Sequence, residues 1–411
     1  MIRRSRWILI TLRRSIPFNV FPSGLGRTIP YSYVQTVTFK VGRHVYIQKT
    51  TTMKNGAGAN PSAGNPILFG IIGTGEIVRM VLPILKLYDG LRVVAIAGTN
   101  ALSTNLLAKK FGGAKVYSDY RELLAVTEID AVYIATPPHL HCEMQKAALE
   151  AGKHVVCEKP IVMNVDELHD VLATPRHNAA NKISSCSSRF NICPPVRKSR
   201  ELIAQGRLGK ILRVRLHNAV ELPIPIESQP AWKRRRDTSG GGLCMDWGVY
   251  DLDWLQFLLG EIFDPIALMA SLDYSFSREM DLETGYAANI LCRNGLTISL
   301  ERRPEHGPLF QRAEIRGSEG GLDLPFMPGS ELKGLTMYSH GDANKTALQK
   351  KNLPYRMNDW GTILAYPIID LAQAVAEKRE VASPLSAQNK IYKVIAAMYR
   401  SSATGKSVRV V

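Results

Sequence analysis

From Pro66 to about residue 180, short apolar runs alternate with longer segments in which apolar positions recur at helical spacing. Buried strands are predicted at ILFGII, LRVVAIAG, DAVYIA and HVVC, because a strand covered on both faces needs a continuous apolar run. Helices are predicted between them at EIVRMVLPILKL, ALSTNLLAKKF and HLHCEMQKAALEA. This alternation predicts βαβ units and a parallel sheet, which binds ligands at the carboxyl ends of its strands.

The second half of the chain shows a different pattern. Its segment 284–303, TGYAANILCRNGLTISLERR, consists of two apolar runs around Asn294-Gly295, which is a strong hairpin signal. Further strands are predicted at KISSCSSRFN, KILRVRLHNAV and RAEIRGSEGGLDL, and helices at about 363–378 and 385–403. We therefore predict an α/β chain with an N-terminal Rossmann domain, a doubly wound parallel sheet, over 66–188. An α+β domain with a large, mostly antiparallel open sheet is predicted over 189–411.

Charge is concentrated in the N-terminal extension, residues 1–65, which holds ten Lys and Arg and no Asp or Glu. The extension thus carries +10 of the net +16, and the rest of the chain is only mildly basic. No nucleic-acid-binding motif accompanies the charge, so no nucleic-acid partner is predicted. The start, MIRRSRWILITLRRS, has the Arg-rich, acid-free composition of a mitochondrial targeting segment. Alternatively, translation begins at Met53 and the extension is dispensable.

The extension gives no reason to expect membrane insertion, because its apolar stretch WILITL is far shorter than the ~20 residues that span a bilayer. We predict a disordered or targeting extension on a cytoplasmic protein, or a mitochondrial one if the extension is real. The six cysteines form no C-x-x-C pair and lie largely in apolar runs, which is typical of buried thiols in a reducing compartment. No histidine pair accompanies carboxylates at metal-ligand spacing, so no metal site is predicted.

The first predicted strand runs into a glycine turn, GIIGTGEIV, which opens a helix. Such glycines let the backbone turn tightly and approach a pyrophosphate at the helix N-terminus. Val78 stands at the third glycine position of the G-x-G-x-x-G pattern, where helix–strand packing is decided. The turn predicts dinucleotide binding, and the candidate cofactor contacts are Gly70, Gly73, Thr74, Gly75, Glu76 and Ile77.

The second strand ends at Gly98-Thr99-Asn100, where NAD-binding proteins place a carboxylate on the ribose 2′-hydroxyl. No carboxylate is present here to repel a 2′-phosphate, and Thr99 and Asn100 could donate hydrogen bonds to one. NADP is therefore slightly favoured over NAD. The alternative is a plain polar turn.

The strand HVVC ends in Glu158-Lys159-Pro160. The residue before a proline is restricted to extended geometry, so Lys159 is expected to extend beyond the strand end. There its ammonium could stabilise charge that develops on a substrate oxygen. The alternative is a strand that simply reaches the surface and turns.

A second candidate segment is SGGGLCMDWGVYDLDWLQFLLG, in which three glycines precede a predicted helix. Asp246 and Tyr250 are four residues apart and so share one face of that helix. Gly240 to Gly242 are expected to let a ligand approach the helix start.

Together GIIGTGEI, ATPPHLHCEMQKAALEAGKHVVCEKP, SSRFN, PAWKRRRDTSGGGLCMDWGVYDLDWLQFLLG and MYRSSATGKSV resemble the Gfo/Idh/MocA oxidoreductases, over about Pro66 to Val408. The resemblance implies that Lys159 is the catalytic lysine, with a cis peptide bond to Pro160. It implies that Tyr250 exchanges a proton with the reacting oxygen and that Asp246 positions the substrate or tunes the proton donor. Because a nearby cation favours phenolate, we expect Lys159 to lower the pKa of Tyr250. Further residues implied at the substrate pocket are Arg189, Trp232 and Lys233, and those implied beside the cofactor are Thr136, Pro137, His141, Glu158 and Lys159.

Two positions depart from the family pattern: Pro138, where many members have Asn, and Tyr250, where the inositol dehydrogenases have His. The second departure puts an inositol substrate in doubt. The predicted function is an NAD(P)-dependent oxidoreductase that transfers hydride between nicotinamide and a sugar, polyol or related cyclic alcohol or ketone. A non-catalytic dinucleotide-binding sensor and an NAD-dependent glycoside hydrolase are the alternatives. The resemblance also implies a homodimer or homotetramer formed through the C-terminal sheet.

Overall fold

The computed structural model describes residues 33–41, 44–52, 65–175, 182–221, 229–275, 281–305, 310–328, 330, 332, 334–340, 348–353, 355 and 358–411. It divides into two units, Met1–Gly64 and Asn65–Val411. In the first unit, β1 (Tyr33–Val41) and β2 (His44–Thr52) pair as an antiparallel hairpin. Apart from Asn65, the rest of the predicted extension, including the alternative start at Met53, lies outside the described residues.

The second unit begins with a six-stranded parallel sheet. Its strands are β3 (Ile67–Ile72), β4 (Leu91–Ala97), β5 (Lys115–Tyr117), β6 (Ala131–Ile134), β7 (His154–Cys157) and β8 (Ile183–Ser185). The helices that alternate with them are α1 (Glu76–Leu85), α2 (Ala101–Lys110), α3 (Tyr120–Leu124), α4 (His141–Glu150) and α5 (Val165–Ala173). The strand order β5-β4-β3-β6-β7-β8 is that of a doubly wound sheet whose direction of winding reverses between β3 and β6. The predicted Rossmann sheet is confirmed.

Both faces of this sheet are covered. In β6, Val132 and Ile134 belong to one apolar core cluster together with residues of α3, α4 and α5, whereas Ala131 and Tyr133 belong to the other, with residues of α1 and α2. Successive side chains of a strand point to opposite faces, so a strand that is buried on both faces needs the continuous apolar run seen in the sequence.

The second sheet has nine strands in the order β16-β15-β14-β13-β9-β12-β11-β10-β17, and only the β9–β12 pair is parallel. The strands are β9 (Ile211–Glu221), β10 (Pro265–Asp273), β11 (Gly285–Cys292), β12 (Thr297–Glu305), β13 (Gln311–Gly317), β14 (Gly320–Pro325), β15 (Leu335–His340), β16 (Leu348–Leu353) and β17 (Val408–Arg409). The predicted hairpin at Asn294-Gly295 joins β11 and β12, and Gly295 adopts the left-handed conformation that this turn needs. The predicted, mostly antiparallel sheet is confirmed.

Five further helices accompany this sheet among the described residues: α6 (Pro194–Ala204), α7 (Arg236–Ser239), α8 (Leu243–Leu259), α9 (Trp360–Ala376) and α10 (Leu385–Thr404). Helix α9 returns to the parallel sheet, where its Leu364, Ala365 and Ile368 share a core cluster with α1. Helix α8 packs with the nine-stranded sheet and with α10. The last part of the chain therefore contributes to the core around the parallel sheet as well as to that of the second sheet.

One predicted strand is shorter than expected. The segment KISSCSSRFN forms a strand only at β8, and a 3₁₀ helix follows over Cys186–Ile192. Ser185 causes the change, because its hydroxyl accepts a hydrogen bond from the Ser187 N–H and its carbonyl accepts one from the Ser188 hydroxyl. Such local bonds from serine compete with the strand ladder. Within the described parts of the chain, no helix is long and apolar enough to cross a membrane.

Candidate active site

Three strands of the parallel sheet, β3, β6 and β7, bring the candidate residues to one edge. The Ala135 N–H donates to the Ile72 carbonyl at 2.8 Å, and the Glu158 N–H donates to the Ile134 carbonyl at 2.9 Å. The backbone ladder thus continues just past the strand ends, and the segments that follow these strands lie side by side. This is the edge at which doubly wound sheets bind ligands.

Lys159 extends from this edge toward α8. Its Nζ donates to the backbone carbonyl of Asp246 at 2.8 Å and forms an ion pair with the Asp246 carboxylate. The same ammonium lies 4.7 Å from the ring centroid of Tyr250 and 5.5 Å from that of Trp247. The peptide bond between Lys159 and Pro160 is cis, as the resemblance implied.

Asp246 lies between two cations. Lys159 contacts one carboxylate oxygen, and the Nζ of Lys233 lies 3.9 Å from the other. Burial acts to raise the pKa of Asp246, but the two ammonium groups outweigh it and hold that pKa well below its ordinary value. The Asp246 side chain is 32% exposed and that of Lys159 is 13% exposed, so this pair, which we call the cleft pair, can be reached from solvent.

Glu158, the residue before Lys159, makes a separate and buried ion pair. Its carboxylate receives two hydrogen bonds from the Arg189 guanidinium and one from the Tyr133 hydroxyl, the last at 2.5 Å. Burial alone would raise the pKa of Glu158, but Arg189 and the Tyr133 hydrogen bond outweigh it and lower that pKa. We call Glu158 and Arg189 the buried pair.

Both residues of the buried pair carry predictions of ligand contact, and these stay predictions. Arg189 was expected at the substrate pocket and Glu158 beside the cofactor, but their side chains are only 2% and 9% exposed. Four of the five N–H groups of the guanidinium donate hydrogen bonds: two to Glu158, one to the Tyr250 hydroxyl at 2.7 Å and one to the Leu364 carbonyl at 3.3 Å. A guanidinium with these partners is held for structure, because breaking any of the contacts would leave a buried charge without a partner.

Tyr250 also differs from its prediction. Its hydroxyl accepts a hydrogen bond from Arg189, and the residue is 4% exposed, while Lys159 lies over its ring instead of beside its oxygen. Burial raises the pKa of Tyr250 above 10.0, although Arg189 acts in the opposite direction. The expected lowering of this pKa by the neighbouring lysine is therefore wrong, because burial outweighs the nearby cations.

The three glycines before α8 serve the packing of the protein. A Cβ on Gly242 would overlap the Glu283 carbonyl, and one on Gly241 would overlap the Tyr399 hydroxyl. Gly240 has φ +79° and packs against Met163. Each position is filled by another part of this chain, so the expectation that these glycines make room for a ligand is wrong.

The loop after β6 is fixed by a buried histidine. His141 is fully buried at the start of α4, and its two ring nitrogens lie 2.8 Å from the carbonyls of Pro160 and Thr136. Burial lowers the pKa of His141. His141 therefore joins the loop after β6 to the turn after Lys159, and its predicted contact with the cofactor stays a prediction. Thr136 and Pro137 are partly exposed at the same edge.

The glycine turn after β3 has the geometry that a dinucleotide needs. Gly73 has φ +109°, and a Cβ there would overlap the Ala135 carbonyl. Gly75 caps α1 and is open, with no atom within 4 Å of a Cβ built on it, and the adjoining Glu76 is exposed. Val78 is fully buried in the core, as expected from its position in the motif. The turn fits a pyrophosphate at the N-terminus of α1.

Gly70 is the exception among the glycines predicted to contact the cofactor. It lies within β3, buried, and a Cβ there would meet the Leu123 side chain at 2.5 Å. Its position indicates close packing between β3 and α3. Thr74 and Ile77 are partly buried beside the turn, and the Thr74 hydroxyl lies 3.1 Å from that of Ser103.

The end of β4 forms the N-terminus of α2. The Asn100 side chain caps this helix by accepting a hydrogen bond from the Ser103 N–H at 2.9 Å, and Thr99 and Asn100 are exposed. Gly98 is tightly enclosed, because a Cβ there would meet the Thr104 hydroxyl at 2.6 Å. Trp232 and Lys233 lie in a 3₁₀ turn before α7, both partly exposed, with the Lys233 ammonium 5.5 Å from the Trp232 ring.

Sequence reasoning missed Glu283, which lies just before β11 and is fully buried against the start of α8. No motif could have found it, because its contacts are with residues about 40 positions earlier in the chain. No group of three or more metal-ligating side chains is found among the described residues.

Comparison with known proteins identifies the family. Residues 67–181 match the oxidoreductase family with an NAD-binding Rossmann fold, and residues 196–323 match the GFO/IDH/MocA C-terminal domain. The chain is 30% identical over 264 residues to dTDP-3,4-didehydro-2,6-dideoxy-alpha-D-glucose 3-reductase from Actinomadura kijaniata, a match that covers 64% of this chain and 76% of that relative. It is 29% identical over 255 residues to 1,5-anhydro-D-fructose reductase from Ensifer adhaerens, covering 62% and 74%.

The fold is similar to that of levoglucosan dehydrogenase in complex with NADH and L-sorbose, with a TM-score of 0.72 and 22% identity over 84% of this chain and 99% of that one. The protein is thus an oxidoreductase with an NAD(P)-binding Rossmann domain. It belongs to the GFO/IDH/MocA family, as its motifs implied.

Proposed function

We propose that this protein transfers hydride between NADP or NAD and a hydroxyl-bearing carbon of a sugar, polyol or related cyclic alcohol, with Lys159 as the group that exchanges the proton. The observation that carries the proposal is the cleft pair, an accessible ammonium held by the Asp246 carboxylate and carbonyl at the carboxyl edge of the parallel sheet. The named activities of the relatives, reduction of an anhydrofructose and of a dideoxy sugar nucleotide, support a sugar-like substrate.

The glycine turn is the proposed holder of the cofactor. Gly73 and Gly75 open the backbone at the N-terminus of α1 for the pyrophosphate, and Thr136 and Pro137 lie at the same sheet edge, where the nicotinamide would be held. The chemistry that a bound nicotinamide supplies is hydride transfer.

In this proposal, Lys159 exchanges a proton with the reacting oxygen of the substrate. In the direction of reduction, its ammonium donates a hydrogen bond to the substrate carbonyl and gives up one proton as the oxygen gains charge. In oxidation the same proton returns to Nζ from the hydroxyl. Asp246 keeps the ammonium aimed at the cleft and balances its charge, and its partly exposed carboxylate lies where it can also accept a hydrogen bond from a substrate hydroxyl.

Tyr250 is assigned a supporting role in this proposal. Its hydroxyl oxygen is occupied by Arg189 and is buried, whereas Lys159 Nζ lies over its ring. The ring therefore forms the floor under the ammonium. Trp232 and Lys233 are proposed to line the substrate side of the cleft, because both are partly exposed and Lys233 approaches Asp246.

The test is a spectrophotometric assay. Purified protein is incubated with NADP⁺ or NAD⁺ and a panel of aldoses, anhydrosugars, polyols and cyclic alcohols, and absorbance at the nicotinamide band is followed. Turnover with at least one sugar or polyol is expected. Tight cofactor binding by calorimetry without turnover on the panel in either direction would contradict the proposal and favour a sensor. Release of a sugar from a glycoside without net cofactor reduction would favour glycoside hydrolysis.

The preference for NADP is proposed from the end of β4. Thr99 and Asn100 are exposed and uncharged, and Asn100 already caps α2. Asn100→Asp keeps the cap, because Asp caps helices about as well as Asn. It also places a carboxylate near the 2′-phosphate, so we expect the ratio of kcat/KM for NADP⁺ to that for NAD⁺ to fall by about tenfold, which corresponds to ~1.4 kcal/mol. An unchanged ratio would show that the turn after β4 does not determine the preference between NADP and NAD.

A homodimer or homotetramer formed through the nine-stranded sheet is the proposed assembly. Helices cover one face of this sheet, whereas on its strands Met269 and Leu291 remain 55% and 43% exposed. Light scattering is expected to give twice or four times the mass of one chain, and a monomer at micromolar concentration would contradict this.

A further inference from the structure

The start of α8 lacks a cap of its own. Its N-cap residue is Gly242, which has no side chain to accept a hydrogen bond. The first N–H groups of a helix have no partner within the helix and need acceptors from elsewhere. In this helix those groups lie within one turn of Asp246, the residue that holds Lys159.

A single residue supplies these acceptors. Oε1 of Glu283 accepts hydrogen bonds from the N–H groups of Gly242 at 2.8 Å and Cys244 at 3.1 Å, and the backbone carbonyl of Glu283 accepts one from Leu243 at 2.7 Å. The same Oε1 accepts a hydrogen bond from the Tyr399 hydroxyl at 2.6 Å. Three consecutive N–H groups are thus satisfied by one residue, and its carboxylate also has the charge that a helix N-terminus favours.

Glu283 is held firmly in this position. Its side chain is fully buried, and the Arg236 guanidinium lies 3.5 Å from Oε2. The close approach leaves no room for a side chain at Gly242, which explains why glycine occupies this position. A buried carboxylate with these partners cannot move without leaving a charge or several N–H groups unsatisfied.

The cap is connected directly to the cleft pair. The Asp246 N–H donates to the Gly242 carbonyl at 2.9 Å, so the position of Asp246 follows that of the capped turn. The backbone carbonyl and the carboxylate of Asp246 then hold Lys159. Any shift of the first turn of α8 would carry both acceptors of the ammonium with it.

We infer that Glu283 is a positioning residue for the reaction: by capping α8 it fixes Asp246 and, through Asp246, the ammonium of Lys159. This inference rests on the proposed role of Lys159. It assigns to a residue outside all of the sequence motifs a measurable effect on turnover.

Three variants test the inference. Glu283→Leu removes the side-chain acceptor, and Glu283→Asp keeps the charge but shortens its reach by one methylene. Glu283→Gln retains an oxygen acceptor for both N–H groups. We expect kcat to fall by about 100-fold in Glu283→Leu, the loss associated with a displacement of about 1 Å, and by about tenfold in Glu283→Asp. We expect Glu283→Gln to stay within about threefold of wild type, with the Kd for the nicotinamide cofactor unchanged in all three.

Asp370 offers a matched control. It is a buried carboxylate that accepts a hydrogen bond from the Ala382 N–H at 2.7 Å and pairs with Arg379 at 2.9 Å, so its chemistry is similar to that of Glu283. It lies on α9, away from the α8 cap. Asp370→Leu is expected to lower the thermal midpoint to a similar extent while leaving kcat within about twofold of wild type. An equal loss of kcat in Asp370→Leu and Glu283→Leu would overturn the inference, because the effect would then be one of stability alone.

A second readout does not depend on turnover. The rate at which an amine-reactive reagent labels Lys159, measured by mass spectrometry on the full chain, reports how firmly Asp246 holds the ammonium. We expect labelling to be several-fold faster in Glu283→Asp and Glu283→Leu than in wild type and unchanged in Glu283→Gln. Unchanged labelling in Glu283→Asp would overturn the inference, even if Glu283→Leu failed to fold. If wild type lacked turnover but labelling responded as expected, the proposed function would fail and the positioning role would stand.

Discussion

Two consecutive residues, Glu158 and Lys159, each form an ion pair, and the two pairs have opposite surroundings. In the buried pair, the side chains of Glu158 and Arg189 are 9% and 2% exposed, and four of the five N–H groups of the guanidinium donate hydrogen bonds. In the cleft pair, the side chains of Lys159 and Asp246 are 13% and 32% exposed, so both charged groups are partly open to solvent. Of the two pairs, the second is the more open to solvent, as its proposed contact with a substrate requires.

Under the proposed function, this difference separates a structural role for Glu158 from a chemical role for Lys159. A buried pair is costly to form and more costly to break, so it suits a fixed joint between elements. Here it joins β7, the 3₁₀ helix over Cys186–Ile192 and α9, since Arg189 also donates to the Leu364 carbonyl. A partly hydrated pair can rearrange at lower cost. The buried pair thus fixes the end of β7, from which Lys159 extends to Asp246.

The largest expected effect is that of Lys159→Ala. If the cleft pair carries the proton, removing the ammonium should lower kcat by about a thousandfold, within the range for general acid–base groups, while the cofactor Kd stays unchanged. Stopped-flow measurement of hydride transfer checks this. The control is Lys153→Ala, at the other end of the same strand, where Nζ donates to the Val126 and Ile129 carbonyls. It should lower stability without changing kcat, and hydride transfer at the wild-type rate in Lys159→Ala would remove this lysine from the mechanism.

Substitutions in the buried pair should instead lower the stability of the folded protein. Arg189→Met leaves the Glu158 carboxylate buried without its cation, so we expect the free energy of unfolding to fall by about 3–5 kcal/mol in urea titrations. The double variant Glu158→Gln/Arg189→Met removes both charges and should recover a large part of this loss. A single variant as stable as wild type would show that the pair is open to water, and the contrast with the cleft pair would disappear.

The dependence of stability on pH provides a second test of the structural role of the buried pair. The pKa of Glu158 is lowered from 4.5 in the folded protein, so the folded state binds this proton less readily than the unfolded chain does. Its stabilising contribution is complete above the unfolded value and is lost as the pH falls through the folded one. We expect the free energy of unfolding of wild type to fall more steeply below about pH 4.5 than that of the double variant. Parallel curves would mean that other carboxylates dominate acid unfolding.

The sequence predicted the architecture well because its signals are local. The continuous apolar runs of β3, β4, β6 and β7 and the Asn294-Gly295 turn each depend on residues that are neighbours in the chain. The motif also led directly to Lys159 and Asp246, which the structure brings together over 87 positions. The sequence could not predict the roles of motif residues whose side chains contact elements distant in the chain.

Three predicted site residues have buried side chains for one physical reason. Arg189, Glu158 and His141 are charged or titratable and stand in motifs, which suggested contact with ligands, but each is buried by elements distant in sequence. The same limit applies to the glycines before α8, whose neighbours are Glu283 and Tyr399. Polar residues whose partners lie far along the chain cannot be assigned as binding or structural until the fold places those partners.

The smallest expected effect is that of Tyr250→Phe. This variant tests whether the Tyr250 hydroxyl only supports the buried pair or also takes part in the reaction at the cleft pair. The Tyr250 hydroxyl accepts from Arg189 and the Tyr133 hydroxyl donates to Glu158, so each contributes one hydrogen bond to the buried pair. If Tyr250 only supports this pair, Tyr250→Phe and Tyr133→Phe should each cost about 1–3 kcal/mol of stability and lower kcat less than tenfold. Steady-state kinetics and urea unfolding of both variants measure this. If kcat fell several hundredfold in Tyr250→Phe but not in Tyr133→Phe, the Tyr250 hydroxyl, which Arg189 contacts, would take part in proton exchange with the substrate.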